Sequence, residues 1–113
     1  MHELSIVESI IDIILSEMPK HGIKRVERIS LRIGEMRQVV PEALHFGFDC
    51  LSANTPLEGA ELFIENVPVT GRCKACHSEF RLGNWLQGCT ECDSSNVEII
   101  TGKELEIAEF EGS

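Results

Sequence analysis

The chain has 113 residues, 42% of them hydrophobic, and a formal net charge of −9. That length holds one small domain, or a small domain with a metal-held module, and that apolar content argues for a folded core over disorder. The acidic balance repels phosphate backbones, which argues against nucleic acid as a partner, and it suits docking to a basic protein face.

The chain opens Met1-His2-Glu3. A free amine followed by histidine at position two offers four nitrogens to one ion: the Met1 amine, the amides of His2 and Glu3, and the His2 imidazole. Short fused chelate rings draw such donors towards a plane, and a square-planar nitrogen set suits Ni(II) or Cu(II). On its own the signal is weak, because an ordinary exposed terminus reads the same way.

Residues 5–20 read as a helix. Ser5 and Glu8 fit a capping box with Ser5 as N-cap, which would leave residues 1–4 outside the helix with their backbone nitrogens open to a metal. Leu4, Val7, Ile11, Ile14 and Met18 recur at helical spacing, and Ile6, Ile10 and Ile13 widen the apolar face. Isoleucine is a middling helix former, so packing must hold this helix. The stretch is too short and too charged to span a membrane, and no basic region precedes it as in a secretion signal. A cytoplasmic protein without membrane contact is expected, with its cysteines reduced.

Residues 24–34 alternate as a strand does, with Ile29, Leu31 and Ile33 on one face and Arg28, Ser30 and Arg32 on the other. Pro41 suits the first turn of a second helix running to about Ala53. Its buried face is read as Leu44, Phe48 and Leu51, with Cys50 as a small core residue beside them. A second strand is expected at about 60–67, where Leu62 and Ile64 alternate with Glu61, Phe63 and Glu65. Strand character returns at 97–100 and 104–110, and Thr101-Gly102-Lys103 between them looks like a tight hairpin turn.

The segment 69–97 differs in composition. It holds four of the five cysteines and little aliphatic content, so a metal must supply its stability. Cys73-x2-Cys76-x12-Cys89-x2-Cys92 places two cysteine knuckles where four thiolates can surround one ion. Zn(II) accepts a tetrahedral four-sulfur set, and with every position filled by protein the site is structural. A rubredoxin-like iron centre and a pair of disulfides are the alternatives. Arg72, Lys74 and Arg81 could offset the charge of such a centre. His77, after Cys76, reads as a surface or supporting histidine, with entry as a substitute ligand as the sharper alternative. His21 and His45 read as structural or surface residues. No phosphate-binding glycine loop and no nucleophile motif is present, so a non-enzymatic protein is expected.

The expected fold is α+β: a small mixed α/β domain (1–68 plus about 98–113) with a zinc-ribbon-like four-cysteine module (about 69–97) inserted before its last strand. The opening Met1-His2-Glu3-Leu4-Ser5, the stretch from Lys24-Arg25-Val26 to Ile33-Gly34-Glu35, and the double CxxC together resemble the HypA/HybF family, nickel-delivery chaperones of [NiFe]-hydrogenase maturation. The resemblance covers essentially the whole chain. It implies a nickel-binding α/β part, with His2 as nickel ligand supported by the Met1 amine and the amides of His2 and Glu3. It also implies structural zinc held by Cys73, Cys76, Cys89 and Cys92. Ni(II) is then transient cargo. The implied partners are a nickel-regulating GTPase and the hydrogenase large subunit, and a monomer or weak homodimer is expected. The competing reading is a non-catalytic zinc-ribbon module for protein interaction or nucleic-acid binding.

Overall fold

The apolar stripe of the first segment folds as α1 (Glu3–Glu17), continued by a 3-10 turn over Met18–His21 that Gly22 closes in the left-handed conformation. A computed structural model describes residues 3–81, 89, 91–92 and 94–113. The further elements are β1 (Val26–Gly34), a 3-10 turn over Glu35–Arg37, α2 (Pro41–Ser52), β2 (Glu61–Val67), β3 (Thr70–Cys73), β4 (Glu79–Arg81), β5 (Val97–Thr101) and β6 (Leu105–Gly112). The molecule is elongated, 54 × 27 × 17 Å.

Two sheets result. In the first, ordered β2-β1-β6, β1 pairs in parallel with β2 and antiparallel with β6. Parallel neighbours need a crossover, and α2 provides it. The alternation read in β1 is the burial observed: Ile29, Leu31 and Ile33 face the helices and are buried. They pack with Ile6, Val7, Ile10, Ile11 and Ile14 of α1 and with Leu44 and Phe48 of α2, while Leu62, Ile64, Leu105, Ile107 and Phe110 close the edges. Each fully buried side chain of this size contributes about 1.5–3 kcal/mol of transfer free energy. The opposite face is open to solvent, where Arg28 pairs with Glu111 at 2.8 Å and Arg32 bridges Glu65 and Glu106 at 3.1 and 3.0 Å.

Three sequence expectations need correction. Ser5 does not begin α1, which is already helical at Glu3. The reason is packing: Leu4 lies over Gly47 of α2, and the Glu3 carboxylate accepts the Val40 N–H at 3.0 Å, so contacts with α2 hold an earlier turn than the capping box implies. Leu51 and Cys50 lie outside the core; α2 buries Leu44, Gly47, Phe48 and Ser52 instead. Its contact face runs along the 44–48–52 line, with Gly47 letting α1 approach, and this turns 50 and 51 outward.

The third correction concerns Thr101-Gly102-Lys103. It is no hairpin, because β5 and β6 belong to different sheets. The second sheet, ordered β4-β3-β5, pairs β3 antiparallel with both β4 and β5, and sets Cys73 opposite Val97. Meanwhile Leu105, Ile107 and Phe110 are drawn to the core of the first sheet beside β1. Burial of that apolar face outweighs the local turn preference.

The chain passes between the sheets at a close backbone contact. Gly34 N–H donates to Glu104 O at 2.8 Å, and Met36 N–H to Gly102 O at 2.9 Å. A Cβ on Gly34 would stand 2.0 Å from Gly102 O, so glycine is required there for space, its φ of −72° being ordinary. Arg37 Nε also donates to Lys103 O at 2.8 Å, and Arg81 pairs with Glu35 at 2.9 Å. Gly34→Ala is expected to destabilise the protein by about 1–3 kcal/mol, because a backbone carbonyl cannot yield as a side chain can. Thermal unfolding of the variant beside the native chain measures this; an unchanged midpoint would show that the contact relaxes at no cost.

Candidate metal centre

The second sheet exists to hold two knuckles. Cys73 ends β3, and the chain turns at once through Lys74, Ala75 and Cys76. The Cys76 N–H donates to the Cys73 sulfur at 3.5 Å, and the His77 N–H to Cys73 O at 2.8 Å, with His77 in the left-handed region at φ 64°. The Cys73 N–H donates to Ser78 O at 2.9 Å. The second knuckle repeats this wiring: Glu91 N–H reaches the Cys89 sulfur at 3.3 Å, and Cys89 N–H donates to Ser94 O at 2.7 Å. The sequence carries a local signal for this wiring, since each CxxC is followed two residues later by serine, Ser78 and Ser94.

The knuckles face each other. The sulfurs of Cys73 and Cys92 are 3.5 Å apart, as are those of Cys76 and Cys89, and all four lie within 4.8 Å of one another. Tetrahedral zinc with Zn–S bonds of about 2.3 Å sets its sulfurs roughly 3.8 Å apart, so the donor set fits such an ion in number, type and spacing. The cysteines are free thiols rather than disulfides. Cys73 and Cys89, the first of each knuckle, are buried, while Cys76 and Cys92 are exposed.

Crowding four thiols divides their acidities. The hydroxyl of Ser78, 3.4 Å from the Cys76 sulfur, and the Ser78 N–H hold the Cys76 thiol down at about 6. The Cys76 N–H lowers Cys73. At Cys92 the Ser94 N–H pulls downward but is outweighed by the neighbouring Cys73 sulfur, by partial loss of water around the sulfur, and by Cys76 and Cys89, so this thiol is pushed up to about 12. Without a cation the cluster therefore keeps protons at neutral pH, whereas a metal ion requires thiolates. Metal binding must expel those protons, so affinity rises with pH through the neutral range and falls in acid. Calorimetry of zinc binding at pH 7 in two buffers of different ionisation enthalpy is expected to show proton release. Identical heats in both buffers would contradict it.

Arg72, Lys74 and Arg81, expected near the centre, each pair with a carboxylate: Arg72 with Glu79, Lys74 with Glu98 and Arg81 with Glu35. His77 is exposed, and among the described residues the grouped ligands are the four cysteines alone. His21 stacks edge-on against Phe110 near Glu17, and His45 is exposed on α2.

Of the N-terminal set, Met1 and His2 lie outside the described residues. Glu3 lies in the first turn of α1, and the N–H groups of a helix's first turn are not consumed by its own ladder. Its carboxylate binds the N–H of Val40, the residue that caps α2. That bond ties the start of α1 to the entry of α2, a role the sequence did not reveal because the two residues lie 37 apart.

The fold and this centre define a small α+β metal-binding protein with a zinc-ribbon-like four-cysteine module. A family model described as "Hydrogenase/urease nickel incorporation, metallochaperone, hypA" matches residues 1–112. The chain is 42% identical over 112 residues to the hydrogenase maturation factor HypA of Chloroflexus aurantiacus, and 38% identical over 111 residues to that of Geotalea uraniireducens, with 98% of both chains covered in each case. Among solved structures, it resembles the solution structure of the Ni metallochaperone HypA from Helicobacter pylori, with a TM-score of 0.69 and 26% identity over 99% of this chain and 97% of that one. A second similar solution structure, of a HypA protein, gives a TM-score of 0.76 and 27% identity over 100% and 97% of the two chains. The chain belongs to the HypA family of nickel-incorporation metallochaperones.

Proposed function

We propose that this chain binds Ni(II) at its N-terminus and hands it on during [NiFe]-hydrogenase maturation, while zinc held by Cys73, Cys76, Cys89 and Cys92 is structural. The observation that carries this reading is the family match, which runs from residue 1 and so includes Met1-His2-Glu3. The proposed nickel donors are the Met1 amine, the amides of His2 and Glu3, and the His2 imidazole. A chelate at a chain end can release its cargo one donor at a time, which a buried cage cannot. The Glu3 carboxylate, engaged by the Val40 N–H, anchors the start of α1 to the entry of α2.

Zinc in the thiolate tetrad supplies cross-linking, not reactivity, because no coordination position is left for water or substrate. The proposed division is a nickel-binding α/β part and a zinc part, joined where Gly34 meets Gly102. The proposed partners are a nickel-regulating GTPase that receives or licenses the cargo and the hydrogenase large subunit that accepts it, in the cytoplasm, with this chain a monomer or weak homodimer. Among the described residues, no helix is long and apolar enough to cross a membrane.

Metal analysis tests the assignment. Purified untagged protein is expected to retain one zinc and to take up one further equivalent of Ni(II), and His2→Ala to lose the nickel while keeping the zinc. Loss of both metals together, or of neither, would contradict the division of labour.

A further inference from the structure

α1 overhangs the first sheet. β6 is that sheet's edge strand, and beyond it no strand is paired among the described residues. Ile6, Ile10 and Ile13 form one stripe along α1 at the i, i+4, i+7 spacing of a single helical face. With Ser5 and Ser9 they roof an apolar groove of about 460 Å³ whose floor is Leu105, Glu106 and Ile107 of β6. Ile13 is 51% exposed at its mouth. A strand paired to β6 would lie about 4.8 Å further out, and its inward side chains would enter this groove beneath the helix.

We propose that this edge is a docking site for an extended segment of a partner protein, added as a fourth strand, with apolar side chains on its inner face and lysine or arginine on its outer face. Strand addition draws affinity from main-chain pairing and specificity from alternate side chains. The inner requirement follows from the groove. The outer requirement follows from charge: Glu106, Glu109 and Glu111 stand on the solvent face opposite Arg32, Ser30 and Arg28 of β1. Arg32 and Arg28 occupy Glu106 and Glu111, whereas Glu109 faces Ser30 and has no ion pair among the described residues.

The same row of carboxylates disfavours a second copy of this chain as occupant. Pairing β6 with β6 would bring two glutamate rows side by side, and like charges across strands are destabilising. A bulge lies within this edge: the register with β1 passes from Ile107 to Glu109, leaving Ala108 unpaired. The groove lies along the Leu105–Ile107 half, and Glu109 follows directly after the bulge.

The probe is an end-blocked peptide of about six residues alternating isoleucine and lysine, titrated into the zinc-loaded full chain and followed by heteronuclear NMR. Shifts are expected at the Ile6, Ile10 and Ile13 methyls and the Leu105–Ile107 amides, with slowed amide exchange along β6. Ile13→Glu, at an exposed position, is expected to weaken binding by about tenfold or more, as is replacing the peptide's lysines with glutamates. Glu109→Lys should narrow the gap between the two peptides. Shifts that map elsewhere, or equal binding of both peptides, would overturn the proposal. So would concentration-dependent dimerisation in sedimentation that Ile13→Glu abolishes, since the occupant would then be a second copy.

Discussion

Cys73→Ala is expected to empty the metal centre and unfold the β4-β3-β5 sheet, while α1, α2 and the β2-β1-β6 sheet stay folded. The two sheets are held by different forces. The first buries a continuous aliphatic cluster from Ile6 to Leu57. In the second, among the described residues of the segment 70–101, the buried ones are Gly71, Cys73 and Cys89. Three short strands with so little apolar burial among the described residues do not by themselves offset the backbone entropy of ordering them. Structural zinc in small peptides supplies about 10–16 kcal/mol, enough to decide whether such a unit folds. Removing the buried Cys73 takes away one thiolate, the acceptor of the Cys76 N–H and the sulfur 3.5 Å from Cys92. Backbone resonances of 70–73, 79–81 and 97–101 should collapse to the random-coil range and zinc content should fall, with the core methyls of Ile14, Ile29 and Leu44 unmoved. Retained dispersion in the second sheet without metal, or loss of the core signals, would show that the stabilities are not separable.

The second large effect concerns the chain end. Adding residues before Met1 is expected to abolish the proposed nickel site although His2 is intact. An extension converts the terminal amine to an amide, removing the donor that opens the chain of fused chelate rings. Losing one of four donors costs more than one bond, because the chelate ring that the amine closes is lost with it. An affinity loss of about a hundredfold or more corresponds to roughly 2.7 kcal/mol. The extended variant should retain zinc and an unchanged fold, which separates this effect from unfolding. Affinity within a few-fold of the native chain would mean that the nickel donors come from elsewhere.

Much of the molecule was legible because it rests on short-range pattern. The alternation of β1 and β2 and the two knuckles each fall within a few residues of sequence, where periodicity and spacing speak directly. Features decided by distant contacts were not legible. The start of α1 is set by Gly47 and Val40, some 40 residues away, against a local capping box at Ser5. Cys50 and Leu51 lie on an apolar-looking turn of α2, but the helix presents its 44–48–52 line to the core, so both face solvent. Thr101-Gly102-Lys103 has turn chemistry, yet Leu105, Ile107 and Phe110 gain more by joining β1. The paired serines after each CxxC were local and readable, and they carry the backbone acceptors that close both knuckles.

The nickel assignment is tested most directly by one titration: Ni(II) into untagged zinc-loaded protein, alongside the N-terminally extended chain and His2→Ala, followed by absorption in the visible region. The native chain is expected to bind one equivalent with the spectrum of planar nickel, and both variants to lose it. Equal affinity and the same spectrum in all three proteins would contradict a nickel site built from the Met1 amine and His2.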